Sequence, residues 1–419
     1  MRYDPPEAKM SDYARAIKET RQVRENLVKA LIAGQGNEGL KQGYENLCRC
    51  LEYLHSLPSD PVIGSGVSGQ YKKRIEISPG QALTVDMGYE ISELQRDCQF
   101  LTEGWESLAC NIRKTNYLAA SEHEEAVAMA LGVMKESGHQ EWGSCITDRD
   151  GTINHYCGRY FASVQSVYNA FVMARFASVL TGGLMVLTSA PLRSPGLQDV
   201  NCLPSGYAVL AGSKGREWIS MDGEYGSLPL EPGQQAVLQS LNASIQRLLV
   251  SEQWSVLTYI GSGVQFKHGQ TAIARQDVHH SIPKELSQEF ACQVQKIVKQ
   301  CDPEGRYLYI EDTGFDLEIG LRFEEQNRAF SKGDGLEILL QRGLLILREG
   351  PHIVCGDTQA DFPMFDFVNR RSPHVLTVLV SQDQDLCESA RQQYPHVLCL
   401  SSPDSLIMLL NSIIVPTNM

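Results

Sequence analysis

No stretch of this chain comes near the run of about 18 uninterrupted apolar residues that a membrane-spanning helix needs. The opening Met1-Arg2-Tyr3-Asp4-Pro5-Pro6 also lacks the apolar segment of a secretory leader. No membrane span is expected, and a cytoplasmic setting is. Basic residues are scarce, 37 Lys and Arg against 50 Asp and Glu, for a net charge of -13. That balance argues against a phosphate-backbone-binding surface, so nucleic acid is not an expected partner. The 12 cysteines contain no C-x-x-C pair, the nearest being Cys48 and Cys50. Neither a zinc site nor a disulfide framework is written here. What remains is an ordinary globular composition, 42% apolar and 21% charged over 419 residues, enough for about two to four domains.

Residues 1–140 read as a helical bundle. Apolar residues recur at three- and four-residue spacing from Ser11 to Leu31, from Leu40 to Leu57, and from about Tyr89 to Glu136 with a break near Asn116. Between the second and third stretches, Ser59 to Gln81 is rich in Gly, Ser and Pro and predicts a flexible connection. After Gly138 the pattern changes to short apolar runs, each expected to lead into a helix: Cys145-Ile146-Thr147, Leu184 to Leu187, Tyr207 to Leu210, Ile353-Val354-Cys355, Val375 to Val380 and Val397 to Leu400. Such runs suit strands buried on both faces of a doubly wound parallel α/β sheet. The long gap between Leu210 and Ile353 implies an insertion, which reads as helix-strand-strand twice over. We therefore expect a core in two parts, 141–230 and 326–419, with a small α+β domain over 231–325 between them.

In open α/β sheets ligands bind at the carboxyl ends of the strands. The first run ends in Asp148-Arg149-Asp150-Gly151-Thr152, the second in Thr188-Ser189, and the run after the insertion in Gly356-Asp357-Thr358 with Asp361 close by. Lys332 lies in Ser331-Lys332-Gly333-Asp334-Gly335. Together and in this order these pieces resemble the four motifs of the haloacid dehalogenase-like phosphohydrolases. Ordinary acidic loop caps would not fall in this sequence on four predicted strand and helix ends.

The resemblance implies a phosphatase working through an aspartyl-phosphate, and the physical chemistry supports it. A phosphate dianion repels an anionic nucleophile by about 4 kcal/mol per unit-charge pair at about 4 Å and an effective dielectric near 20. Cations must offset that repulsion. Mg²⁺ is the implied cofactor, with Asp148, Asp357 and the backbone carbonyl of Asp150 offering hard oxygen ligands. Asp148 would be the nucleophile. Asp150 would protonate the leaving oxygen and then activate water. Thr188 would donate to a phosphoryl oxygen and Lys332 would neutralise the equatorial oxygens. Asp361 would orient Lys332 or the metal shell.

Substrate choice falls to the insertion, whose position corresponds to the larger kind of cap in this superfamily. Val186-Leu187-Thr188-Ser189-Ala190-Pro191-Leu192, Leu210-Ala211-Gly212-Ser213-Lys214-Gly215-Arg216-Glu217 and Gly269-Gln270-Thr271-Ala272-Ile273-Ala274-Arg275-Gln276-Asp277 are similar to the trehalose-6-phosphate phosphatases, the nematode type above all, which also carry a helical N-terminal extension. The likeness spans roughly Ser144 to the C-terminus; over residues 1–140 it is one of helical character only. It implies hydrolysis of trehalose 6-phosphate to trehalose and phosphate. Carried over residue by residue, it nominates Ser189, Lys214, Arg216, Glu217, Gln270, Arg275, Glu311 and Glu318 as contacts to the sugar phosphate. Two departures stand out: Lys214 replaces the histidine of the usual G-x-H-G-x-E pattern, and Arg149 replaces an aromatic residue. Both are expected to bear on how the sugar is held.

Other capped phosphatases, acting on sucrose 6-phosphate or a glycosyl-glycerate phosphate, would use the same core, and a scaffold acting only through its N-terminal helices is the rival of another kind. Those helices could form a homodimer seam, dock on the cap, or recruit a protein partner. His268, His279 and His280 lack metal-site spacing and are expected in surface or packing roles. Ser402-Pro403-Asp404 reads as a helix start and nothing more.

Overall fold

The computed structural model describes residues 9–34, 37–59, 71–78, 81–115, 120–193, 195–277, 280–322 and 330–414. His279 and the glycine-rich run around 64–69 lie outside them.

The N-terminal region holds helices α1 (Met10–Ile32), α2 (Asn37–Ser56), α3 (Gly88–Thr115) and α4 (Ala120–Ser137). Of the expected flexible connection, residues 60–70 lie outside the described ones, and its later part is instead strand β1 (Lys72–Ser78), paired antiparallel with β2 (Gln81–Asp86), Ile75 opposite Leu83. Ile75, Leu83 and Val85 are buried, so the alternation that makes this hairpin is present but short. Helix α4 does not pack with α1 to α3 alone. Its Ala126, Ala130 and Val133 join an apolar cluster on one face of the central sheet, and Glu122 accepts hydrogen bonds from Ser401.

The core contributes β3 (Ser144–Thr147), α5 (Val167–Ala177), β4 (Gly183–Leu187), α6 (Leu197–Val200), β5 (Val209–Gly212), β6 (Glu217–Ile219) and β7 (Tyr225–Ser227). The insertion follows as α7 (Pro232–Leu249), α8 (Glu252–Ser255), β8 (Val264–Lys267), β9 (Gln270–Ala274), α9 (Lys284–Cys301), β10 (Leu308–Asp312) and β11 (Asp316–Leu321). The core resumes with α10 (Lys332–Gln341), β12 (His352–Gly356), α11 (Phe362–Asn369), β13 (Val375–Val380), α12 (Gln384–Gln393), β14 (Val397–Leu400) and α13 (Pro403–Ile414).

The central sheet runs β14-β13-β12-β3-β4-β5-β6-β7. The strands from β14 to β5 are parallel, and β6 and β7 add an antiparallel edge. That edge departs from the expected helix after the third strand; at three residues each, β6 and β7 are too short for periodicity to register. Successive residues of a strand enter opposite layers: Cys145, Leu184, Ile353 and Leu376 face one apolar cluster, Ile146, Met185, Val354 and Val375 the other. Because β4 and β5 wind to one side of β3 and β13 and β14 to the other side of β12, the order reverses between β3 and β12. That switch point is where a crevice opens at the carboxyl ends.

The insertion is a four-stranded antiparallel sheet, β10-β11-β9-β8. Ile273, Leu317 and Ile319 pack with Leu241, Ile245, Phe290 and Val294 of α7 and α9. Register puts Gln265, Lys267, Gln270, Ala272, Asp316 and Glu318 on the opposite face, which turns toward the crevice.

Candidate active site

Asp148 and Asp357 follow the ends of β3 and β12, neighbours across the switch point, and the Asp148 amide donates to the Cys355 carbonyl at 2.9 Å. The approach is close. A Cβ on Gly151, whose φ is +86°, would lie 2.2 Å from Asp357 Oδ2, so only glycine lets this loop turn there. Lys332 opens α10, capped by Ser331, which exchanges hydrogen bonds with Asp334. Its Nζ donates to Asp148 Oδ1 and to Asp361 Oδ1, each at 2.5 Å. Asp361, fully buried, takes the amides of Asp357 and Thr358 on its other oxygen at 3.0 and 3.1 Å. It is thus spent on orienting Lys332 and the Asp357 loop. Thr152 Oγ1 reaches both Asp148 and Asp357 at 3.4 Å, and Tyr156 donates to Asp357 Oδ2 at 2.6 Å.

Carboxylate oxygens of Asp148, Asp357 and Asp361 all lie within 4.8 Å of one another. Three carboxylates face one ammonium. Burial pushes Asp148 up to about 6, with Lys332 opposing the rise. Burial and then the charge of Asp148 push Asp357 up to about 8. Burial opposes the charge on Lys332, but Asp148 and Asp361 outweigh it and hold the ammonium above its ordinary range. The residual negative charge on hard oxygen donors fits a divalent cation such as Mg²⁺.

Thr188 ends β4 and accepts the Ala190 amide on its hydroxyl oxygen at 3.2 Å, which keeps the hydroxyl hydrogen available. Asp150 is engaged through Oδ1 alone among the described residues, by Arg149 and by Ser163 Oγ at 3.0 Å. Arg149 therefore does not face the sugar site as expected. Its side chain is buried, donates to the Ser163 carbonyl, and holds Asp150 in place.

Above these groups lies a cavity of about 360 Å³ between core and cap. Asp148, Asp150, Thr188, Ser189, Lys332 and Asp357 line it. The nominated cap and loop residues fare differently. Glu217 accepts from Leu192 N and Ser213 Oγ at 3.0 and 2.6 Å, which makes it an anchor of its own loop. Arg216 stacks on Phe330 at 4.5 Å and donates to the His268 carbonyl. Arg275 falls on the helix side of the cap sheet, bonded to Asp312 and Ser287 at 2.8 and 2.9 Å. Gln270 donates to Glu318 at 2.7 Å on the crevice side, Glu311 is exposed on the outer strand, and half-buried Lys214 sits at φ +61° with its amide bonded to the Thr188 carbonyl. None of these seven is among the cavity-lining residues.

The cap residues that do line the cavity include Gln265, Lys267, Asp316, Gln276 and Ser262. Lys267 is 7% exposed, and among the described residues no hydrogen bond or ion pair engages its ammonium. Burial lowers its proton affinity, against the pull of Glu318 and Asp316. The sequence signal that points to it is the two-residue alternation Gln265, Lys267 on a strand whose other face packs on helices. His268 packs its ring against the Leu228 carbonyl, a structural role as expected. Asp404 is more than a helix start: it is buried and accepts from His155 at 2.9 Å and from Tyr168 and Arg96.

A doubly wound core with an acid pair and a lysine at its switch point, under an inserted αββ-repeat cap, defines a haloacid dehalogenase-like fold. The family model described as "Trehalose-6-phosphate phosphatase, C-terminal" matches residues 145–406, and the chain belongs to that family. Among relatives, the protein named alpha,alpha-trehalose-phosphate synthase (UDP-forming) 2 of Caenorhabditis elegans is 31% identical over 326 residues, 75% of this chain and 26% of that protein. The trehalose-phosphatase of Caenorhabditis elegans is 32% identical over 271 residues, 62% of this chain and 60% of that one. The C-terminal domain of the C. albicans trehalose-6-phosphate phosphatase aligns at 14% identity and a TM-score of 0.45, covering 69% of this chain and 96% of its own. The chain spans 24–29% of the length of the relatives named as synthases and 51–60% of those named as trehalose-phosphatases.

Proposed function

We propose that this protein is a Mg²⁺-dependent phosphatase that hydrolyses trehalose 6-phosphate to trehalose and phosphate through a phospho-aspartate. The observation that carries the reading is Asp148 at the switch point, bonded to Lys332 at 2.5 Å, beside Asp357 and at the floor of a capped cavity. Asp148, Asp357 and the Asp150 carbonyl would hold the cation, which supplies positive charge to the entering phosphoryl group. Lys332, fixed from behind by Asp361, presents its ammonium to the same oxygens, and Thr188 donates a hydroxyl hydrogen. Asp148 Oδ attacks phosphorus as Asp150 passes a proton to the departing sugar oxygen; Asp150 then takes a proton from the water that hydrolyses the aspartyl-phosphate.

On the cap side, Lys267, Gln265 and Asp316 offer a cation, an amide and a carboxylate to a polyol, which both donates and accepts. A cavity walled by both core and cap favours a leaving group large enough to touch the cap. Twelve free cysteines, and no described helix long and apolar enough to cross a membrane, agree with a reducing cytoplasmic setting for this chemistry. The test is a phosphate-release panel of trehalose 6-phosphate, sucrose 6-phosphate, glucosyl-glycerate phosphate and glucose 6-phosphate, with and without chelator. Trehalose 6-phosphate is expected to give the highest kcat/KM, abolished by chelation. Absence of metal-dependent release from any of them defeats the reading.

A further inference from the structure

The segment after the first acidic motif, His155 to Ser163, supplies Tyr156, Cys157, Gly158, Tyr160 and Ser163 to the cavity wall. It has little regular structure of its own beyond a single 3₁₀ turn at Tyr160–Ala162. Its ends are held by the core, His155 by Asp404, Tyr156 by Asp357 and Ser163 by Arg149 and Asp150, whereas its middle, Arg159 to Phe161, is held by the N-terminal region. Arg159, 5% exposed, donates to Glu90 Oε1 at 2.7 Å, to Tyr13 Oη at 3.2 Å and to the Asp86 carbonyl at 2.6 Å. Tyr13 in turn donates to Glu90. Phe161 meets the Tyr13 ring edge-on at 5.7 Å, and Asn154 donates to Tyr89 Oη at 2.8 Å.

The backbone of the same segment grips the cap. Arg159 bridges Gly261, and the Tyr160 amide donates to the Gly261 carbonyl at 3.0 Å. Gly261 and Ser262 line the cavity from the cap side and lead into β8, which carries Gln265 and Lys267. One apolar cluster includes Tyr13 and Ile17, then Ala162 and Val164, then Ile260 and Leu257 of the cap. A lid can move only as far as its contacts with the core allow; His268 makes one set, with Ser213, Arg216 and Leu228, and at the cavity rim another is made by Arg159, whose side chain is bonded to the N-terminal region.

We infer that Arg159 is a positioning residue through which Tyr13 and Glu90 of the N-terminal helices hold the cap closed over the sugar, making those helices a determinant of substrate affinity. The inference rests on the phosphatase reading for its kinetic consequence and on geometry alone for the coupling. A leaving group that reaches the cap depends on closure; a small aryl phosphate, which needs only the core groups, does not.

The test uses the full chain with Tyr13→Phe and, separately, Glu90→Gln. Two readouts are compared with the wild type: amide hydrogen exchange along the chain, and kinetics on trehalose 6-phosphate and p-nitrophenyl phosphate. Tyr13→Phe removes hydrogen bonds but no charge and no packing, so it is expected to fold; it decides the matter should Glu90→Gln fail to. The expected result is faster exchange in residues 157–163 and 260–263 with β3 and β12 unchanged. KM for trehalose 6-phosphate should rise about 3- to 10-fold at constant kcat, as loss of a net hydrogen bond implies, with p-nitrophenyl phosphate turnover unaffected. Unchanged exchange in either segment overturns the inference. So does a uniform rise in exchange with parallel losses on both substrates, the mark of a merely structural role. Should the wild type hydrolyse neither compound, the functional reading falls and the exchange pattern alone decides the coupling.

Discussion

At the scale of single residues, the site is organised by a charge imbalance. Asp148, Asp357 and Asp361 share one ammonium, so the metal-free protein carries carboxyls whose ionisation opposes folding. The sign follows from the raised values: Asp148 titrates near 6 and Asp357 near 8, both above the unfolded carboxylate range. In the unfolded chain both ionise near pH 4, so stability declines as pH climbs from about 4 to about 8. In chelator, Tm should therefore fall between pH 5 and pH 8, and Mg²⁺ should restore more at pH 8 than at pH 5. Asp357→Asn should flatten the chelator curve while removing activity; a scanning-fluorescence pH series checks both. Asp148→Asn, which leaves the shape of the site intact, is expected to lower phosphate release by at least about 10³-fold in a steady-state assay, since nucleophile and metal ligand go together. Lys267→Met should raise KM for trehalose 6-phosphate about 10- to 100-fold, the worth of a hydrogen bond from a charged donor, and leave p-nitrophenyl phosphate turnover alone. The core half of this site was legible because Asp148, Asp150, Thr188 and Asp357 follow apolar strand ends and Lys332 opens a helix. The cap half was not, because side-chain direction there depends on register: Arg275 and Lys267 differ by parity alone, and parity is fixed by how β8, β9 and β11 pair.

Elements carry these side chains only as well as they fit one another. The first turn of α10 crosses the loop Ser213–Gly215 so closely that a Cβ on Gly335 would lie 1.8 Å from the Lys214 carbonyl oxygen. The atom met is backbone, so no rotamer change relieves it, and the helix that presents Lys332 must shift. Gly335→Ala is expected to cut kcat at least about tenfold, as a misplacement of 1 Å can, and to lower Tm. Gly132→Ala is the control: Gly132 lies inside α4 with nothing within 4 Å of the added carbon, so stability should rise by about 0.5–1 kcal/mol with activity unchanged. Circular dichroism melts and initial rates on both variants separate the two outcomes. The nearly unbroken apolar runs of β13 and β14 announced themselves in the sequence, whereas β6 and β7 at three residues apiece did not, and neither did the β1–β2 hairpin, whose apolar alternation is confined to Ile75 and Ile77 and to Leu83 and Val85; alternation over so few positions is indistinguishable from a polar loop.

Taken whole, the molecule is less divisible than its chain order implies. Arg24 pairs with Asp97 at 2.6 Å within the N-terminal helices while Asp97 also caps the Val167 amide that begins α5. Arg96 of α3 meets Asp404 of α13, and Arg159 of the core meets Glu90 of α3. Buried ions of this kind cost more to leave half-paired than they contribute when whole, about 3–5 kcal/mol for each one orphaned. A chain starting at Gln140 would strand Arg159, expose the apolar neighbours of Tyr13 and Ile17, and uncover the sheet face that α4 covers. The sum exceeds a typical domain's margin of about 5–15 kcal/mol once the apolar loss is added. The shortened protein is therefore expected to be recovered aggregated, or to melt without a cooperative transition in a scanning calorimeter. The full chain should unfold with the N-terminal helices and core in a single endotherm. Two separate transitions in the full chain, or a shortened chain that stays monomeric and melts sharply, would mean that the buried ion pairs do not couple the helices to the core as their geometry requires.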